Sequence, residues 1–291
     1  MRWRKILVAT DFSEGSERAL RVAVRLASKA GAELVVAHAW EVGTGFGGEL
    51  PVPSDLAEEL KEEVDRGLEA ALREARALGA PQATARWLDG AAPAAILRAL
   101  EDPGFDLVIV GTHGRTGLSR VLLGSVAEKI VRHAPCSVLV VRVDSEATPF
   151  KHVLCPIDLS QRTDEVFEEA AGLAQDEGAS VTLLNVIDIT PAYTGRAAGL
   201  YIQLLERSSS GLLEKAAARL RSKLTVPVSI RSGIGSPGGQ ILALLDEDRT
   251  IDLVVMGSHG RTGIKRALLG SVAEKVVRHA HCPVLVSRNR D

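Results

Sequence analysis

Aromatic side chains make up only 3% of this chain, too few for the stacked platforms on which proteins hold single-stranded bases. Charge of one sign is also lacking. Thirty-five Lys and Arg face 37 Asp and Glu, a formal net charge of −2, so no electrostatic footprint for nucleic acid or an anionic membrane exists. No apolar run is long enough to span a bilayer, and the apolar run of the basic start MRWRKILVATDF is too short for a secretory signal. Cysteine occurs three times, at Cys136, Cys155 and Cys282, with no C-x-x-C pair. An odd count without metal spacing excludes a disulfide scaffold and a zinc site, and points to a reducing, cytoplasmic setting. Three signatures of nucleotide and ester chemistry are missing as well: G-x4-G-K-[ST], G-x-G-x-x-G after a strand, and G-x-S-x-G. With them goes the lysine that would neutralise a transferring phosphoryl group.

What is present is a repeat. Asp106–Arg142 reads DLVIVGTHGRTGLSRVLLGSVAEKIVRHAPCSVLVVR, and Asp252–Arg288 reads DLVVMGSHGRTGIKRALLGSVAEKVVRHAHCPVLVSR. The two align without a gap, and 27 of their 37 positions are identical. A gapless match at a period of about half the 291-residue chain means two whole domains in tandem rather than a solenoid. The expected domains are residues 1–143 and 151–291, joined by a linker, VDSEATPF.

Each copy reads as strand, glycine loop, helix and strand. Short β-branched runs, Asp106–Val110 and Asp252–Met256, look like strands buried on both faces. The pattern Gly-x2-Gly-x9-Gly-Ser follows, as Gly111, Gly114, Gly124, Ser125 and as Gly257, Gly260, Gly270, Ser271. Glycine lets a ligand approach the main chain closely. The Ser followed three residues later by Glu128 or Glu274 reads as a capping box at a helix start. A strand feeding a glycine loop that ends at a helix N-terminus favours an anion, because free N–H groups and the helix dipole both point at it. Taken alone, the glycines read equally well as turns and the serines as caps.

Upstream, each half alternates strands with helices, which implies a parallel sheet covered on both faces. Lys5–Thr10 reads as the first strand, followed by Asp11 and by a helix that Ser13 or Ser16 can cap and Gly31 closes. Leu20, Val24 and Ala27 mark its buried face. Asp158 stands at the matching place in the second half. The expected fold is two doubly wound five-stranded parallel domains of order 3-2-1-4-5. In that order the first and fourth strands are neighbours at the switch point, where ligands bind. Asp11 should therefore meet the glycine loop about a hundred residues on.

The repeated motif strongly resembles the ATP-binding motif of the universal stress protein family, and each half resembles one family domain of adenine nucleotide alpha-hydrolase-like fold. The resemblance implies that Asp11 and Asp158 contact adenosine, that Ala9 and Pro156 line the adenine site, and that Ala39 and Val186 offer it backbone contacts. Ala9 is a departure, since Pro is the family-like residue. Phosphates would lie against Gly111, Gly114, Gly124, Ser125 and Val126, and against Gly257, Gly260, Gly270, Ser271 and Val272. Arg115 and Arg261 could reach the polyphosphate or stand as solvated loop residues. Mg²⁺ would arrive on the phosphates, with no metal ligand assigned to a side chain and no catalytic residue.

The implied role is a cytoplasmic, ATP-binding stress-response module with little or no turnover. The alternatives are a slow ATPase, or a nucleotide-dependent transferase, on the same scaffold. A dimerisation module with degenerate pockets would not carry two intact motifs. Each half ends on an apolar strand, Ser137–Val141 or Pro283–Ser287, and family resemblance implies that the halves pair through these strands. A further homodimer stays open.

Overall fold

The computed structural model describes residues 3–40, 54–112, 123–143, 148–159, 163–188, 196–258 and 269–288. Two compact units divide the chain at Thr148 and Pro149. In domain 1, β1 (Lys5–Ala9), β2 (Glu33–Trp40), β3 (Thr84–Asp89), β4 (Leu107–Gly111) and β5 (Ser137–Val141) alternate with α1 (Glu14–Ala30), α2 (Ser54–Ala77), α3 (Ala92–Glu101) and α4 (Ser125–His133). The strands lie in the order β3-β2-β1-β4-β5, all parallel. This is the doubly wound order expected. Right-handed crossovers leave few other routes between parallel strands.

Central strands are apolar without alternation because helices cover both faces. Ile6, Leu7 and Val8 of β1 and Leu107, Val108 and Ile109 of β4 are fully buried. Helix α1 starts at Ser13, whose side chain accepts from the Ser16 N–H, and stops at Gly31, whose φ of 64° only glycine adopts without strain. Leu20, Val24 and Ala27 are buried on its inner face, as their spacing requires. Asp106 fixes the register of β1 against β4: its Oδ2 accepts the N–H of Arg4 at 2.6 Å and of Lys5 at 3.1 Å.

Domain 2 repeats the plan. Its strands are β6 (His152–Ile157), β7 (Ser180–Ile187), β8 (Val228–Ile234), β9 (Leu253–Gly257) and β10 (Val284–Ser287). Its helices are α5 (Thr163–Glu177), α6 (Arg196–Arg221), α7 (Pro237–Glu247) and α8 (Ser271–His279). The order is β8-β7-β6-β9-β10, again parallel. Asp252 does for β6 what Asp106 does for β1, accepting from Lys151 N–H at 2.8 Å and His152 N–H at 3.0 Å.

Several boundaries shift by one residue from the sequence reading: β1 ends at Ala9 rather than Thr10, and β4 and β9 begin and end one residue later than read. β2 extends to Trp40, which pairs with Asp89 of β3. Helix α7 begins at Pro237, and proline suits a first turn whose N–H is unbonded. The capping box is a correction. The N-caps of α4 and α8 are Gly124 and Gly270, so Ser125 and Ser271 are the first helical residues. Glycine brings no capping side chain, and Glu128 and Glu274 turn instead to Arg132 and Arg278 one turn on, at 3.4 Å in each case.

Candidate functional site

In each domain the fold brings the first and fourth strands side by side, through Ile6↔Leu107 to Val8↔Ile109 in one and Val153↔Leu253 in the other. The loops at their C-terminal ends consequently open at one place. In domain 1 the approach is close. A Cβ built on Gly111 would stand 2.8 Å from the carbonyl oxygen of Gly15, in the first turn of α1. Only glycine lets the end of β4 meet the start of α1. Gly111 thus owes its place to main-chain packing, a reason separate from any phosphate.

The loop after β4 is closed at its base. Gly124 N–H donates to the Thr112 carbonyl at 2.7 Å, and Thr112 N–H donates to Val141 at 3.0 Å. Domain 2 has the same pair of bonds, Gly270 to Ser258 at 2.8 Å and Ser258 to Ser287 at 3.2 Å. The N-termini of α4 and α8 therefore stand at the ends of β4 and β9. Each helix is capped by a glycine, so the N-cap covers its first N–H groups with no side chain. Ser125 and Ser271 are exposed there, with Val126 and Val272 half-buried behind them. Gly114, Arg115, Gly260 and Arg261 lie outside the described residues.

Across the crevice, Ala9, Asp11 and Ala39 are half-buried at the rim of the domain 1 core, as are Pro156, Asp158 and Val186 in domain 2. Asp11 builds a turn: its Oδ1 accepts the N–H of Ser13 at 3.1 Å and the Ser13 hydroxyl at 2.5 Å. Such a turn is common for Asp after a strand, so Asp11 has a structural role separate from any ligand.

Sequence reasoning missed the residues between these points. Phe12 and Leu159, each next to the site Asp, are the non-glycine residues with positive φ among those described, at 63° and 58°. A bulky side chain there costs energy, and such strain clusters at functional sites. His38 and Asn185 share a second device. Nδ1 of His38 donates to the Thr10 carbonyl at 2.8 Å, and Nδ2 of Asn185 donates to the Ile157 carbonyl at 2.9 Å. Each ties the end of the second strand to the end of the first, one residue before Ala39 or Val186. A legible signal existed: two unlike polar residues, His38 and Asn185, stand at matching places near the ends of mostly apolar strands.

Domain 1 surrounds this tie with rings. Phe12 stacks on His38 with centroids 4.6 Å apart, and Trp87 meets both His38 and Trp40 edge-on at 6.5 and 6.0 Å. Trp87 Nε1–H donates to Asp65 of α2 at 3.0 Å. The register places Ser232 of β8 opposite Asn185 where Trp87 stands opposite His38. Burial pushes the Cys155 thiol, inside β6, up to about 12, and all three cysteines are buried.

Two parallel doubly wound domains, each with a bulky residue at positive φ after the site Asp and a glycine-capped helix at the end of its fourth strand, define a tandem α/β protein of the ligand-crevice type. The profile of the universal stress protein family matches residues 2–142 and again residues 149–288, and the chain belongs to that family. A universal stress protein of Mycolicibacterium smegmatis is 30% identical over 304 aligned positions, covering 98% of this chain and 97% of that protein. A single-domain-length relative from Thermus aquaticus is 40% identical over 145 residues, covering 48% of this chain and 99% of its own length. The crystal structure of a universal stress protein from Archaeoglobus fulgidus superposes with a TM-score of 0.72 over 99% of this chain and 98% of that one. At 22% identity that likeness shows the fold alone.

Proposed function

We propose that each domain holds one ATP at its switch point and that the protein acts as a nucleotide-dependent regulatory module. The observation that carries this reading is the glycine-capped N-terminus of α4, and of α8, set at the end of the fourth strand of its domain. The helix offers its first N–H groups to an anion with no N-cap side chain over them. Phosphates fit there against Gly124, Ser125 and Val126 or Gly270, Ser271 and Val272, with Gly114, Arg115, Gly260 and Arg261 as further contacts. The adenosine end fits against Asp11, Ala9 and Ala39, or Asp158, Pro156 and Val186.

Among the described residues no three His, Cys, Asp or Glu side chains gather into a metal-holding group. The Mg²⁺ in this proposal would arrive with the nucleotide, and no side chain is assigned to hold it. The Gly-x2-Gly-x9-Gly-Ser motif itself specifies no lysine, although Lys265 falls inside its second copy, and no residue is assigned as a base, so we favour binding over turnover. Isothermal titration with Mg·ATP should give two sites per chain, and a stoichiometry of zero overturns the reading. Steady-state hydrolysis near the ordinary enzyme median, ~10 s⁻¹, would favour the slow-ATPase or transferase alternative instead. We further propose a cytoplasmic setting and association of the two domains through β5 and β10. The apolar sequences VLVV and VLVS support the association, since each lies in the last strand of its own domain's order.

A further inference from the structure

Both domains hold the bulky residue after the site Asp at positive φ, Phe12 and Leu159, but the residues around it differ in chemistry. In domain 1 the support is a directed chain. Phe12 N–H donates to Thr10 Oγ1 at 3.0 Å, and Thr10 Oγ1 lies 3.1 Å from Ser16 Oγ. The Ser16 hydroxyl donates to the Ser13 carbonyl at 2.9 Å, which leaves the Thr10 hydroxyl to donate to Ser16. The Phe12 ring is clamped as well. It lies on His38 with an interplanar angle of 20°, and a Cβ on Gly67 of α2 would come within 2.8 Å of it. Helix α2 thus lacks a side chain at the place where the ring rests.

In domain 2, Ile157 stands where Thr10 does and has no hydroxyl to accept the N–H of residue 159. Leu159 has no ring, and Asn185 has none to stack on. Pro156 stiffens the end of β6, but it acts three residues before the strained position and adds no donor. The cost of a positive φ at a bulky residue is common to both domains, while the stack and the hydroxyl chain that offset it belong to domain 1.

We propose that the two nucleotide sites are non-equivalent, with Thr10 and Phe12 as the positioning residues that preorganise the Asp11 turn and make domain 1 the tighter site. This inference rests on the reading of each crevice as an ATP site. A turn already held in its binding conformation loses less freedom when ligand arrives. A domain 2 turn without the Thr10 hydroxyl and the Phe12 stack is preorganised less, and more of the gross interaction is used there on binding. The protein then loads in sequence as ATP rises: domain 1 first, domain 2 over a higher range. A chain with one ATP is a distinct state, which two identical sites would populate only as a random mixture.

The experiment isolates each site in the full chain with a charge on an exposed helix start. Ser271→Glu repels phosphate from domain 2, and Ser125→Glu repels it from domain 1. Titration of each variant with Mg·ATP should give a Kd about tenfold lower when domain 1 is the site left open, about 1.4 kcal/mol at the usual conversion. All three tryptophans, Trp3, Trp40 and Trp87, belong to domain 1, so the fluorescence change in wild-type chain should saturate with the tighter phase.

In the Ser271→Glu background, Thr10→Val with Phe12→Leu should weaken binding about tenfold, and Phe12→Tyr, which keeps the ring, should restore it. Equal affinities, or a tighter domain 2, overturn the inference and leave ATP binding standing. Loss of affinity in the Phe12→Tyr chain equal to that in the double variant also overturns it. Absence of any ATP binding in the wild type overturns the reading beneath it instead. Should the double variant lose its cooperative melt, the comparison of the two unmodified turns decides.

Discussion

Gly111 shows how one missing Cβ organises a site. Its Cα faces the Gly15 carbonyl, and a methyl group there would sit 2.8 Å from that oxygen. Backbone on both sides leaves nothing flexible to yield. Gly111→Ala should destabilise domain 1 by about 1–3 kcal/mol, the usual range for overpacking, and should weaken ATP binding by pushing the α1 turn away from α4. Thermal melting and titration of the same variant check both effects. A second residue-scale expectation concerns acid stability in domain 2. The Thr250 hydroxyl donates to Asp248 at 2.5 Å and its N–H at 3.0 Å. The hydroxyl bond, ahead of other causes, holds the Asp248 carboxyl below the ordinary carboxylate range. A group with a depressed folded pKa stabilises above its unfolded pKa, and that stability is lost as pH falls through the folded value. Thr250→Val should therefore lower stability slightly at neutral pH. The difference from wild type should shrink once acid has protonated Asp248 in both states, as paired denaturant titrations across pH would read.

Among the elements, α1 joins stability most directly to the site. Its N-cap, Ser13, accepts from the Ser16 N–H and also donates its hydroxyl to Asp11. One side chain thus starts the helix and fixes the turn that carries the proposed adenosine contact. Ser13→Ala should lose about 1 kcal/mol, the common value for an N-cap serine, and should weaken site 1 while leaving site 2 unchanged. Chemical denaturation and the two single-site titrations measure these separately. An equal effect on both sites would break the link between cap and turn. Helices α4 and α8 are the opposite case. Their N-caps are glycines, so helix stability is forgone at the one place where an anion would supply the missing partner.

At the scale of the molecule, two domains of one design share a chain, and the proposed association through β5 and β10 makes its own prediction. A protease site placed between Val143 and Thr148 should, after cleavage, leave two fragments that co-elute on size exclusion at micromolar concentration. Fragments that elute apart would show two tethered, independent domains. Tandem linkage raises the effective concentration of one domain for the other, and cleavage removes only that contribution. Among the described residues, no helix is long and apolar enough to cross a membrane.

The sequence by itself determined the duplication, the parallel doubly wound order and the end of the sheet where the crevice opens. Those follow from periodicity, glycine punctuation and a gapless repeat, all of which are properties of short stretches or of simple chain order. Strand identity and the buried face of α1 were legible because apolar spacing fixes which side chains leave water. Other features were decided only in three dimensions. Gly111 is set against Gly15 by strand packing across about a hundred residues, and no local pattern reveals a close approach of main chain to main chain. The N-cap fell on Gly124 rather than Ser125, and the bond from Gly124 to Thr112 closes the loop there, one residue earlier than the capping pattern suggests. Phe12 takes a positive φ against its own preference, and Thr10 together with His38 and the bare surface at Gly67, both on other elements, pack around it there. Local preference yields wherever several distant contacts converge on one residue, and in this protein they converge beside Asp11.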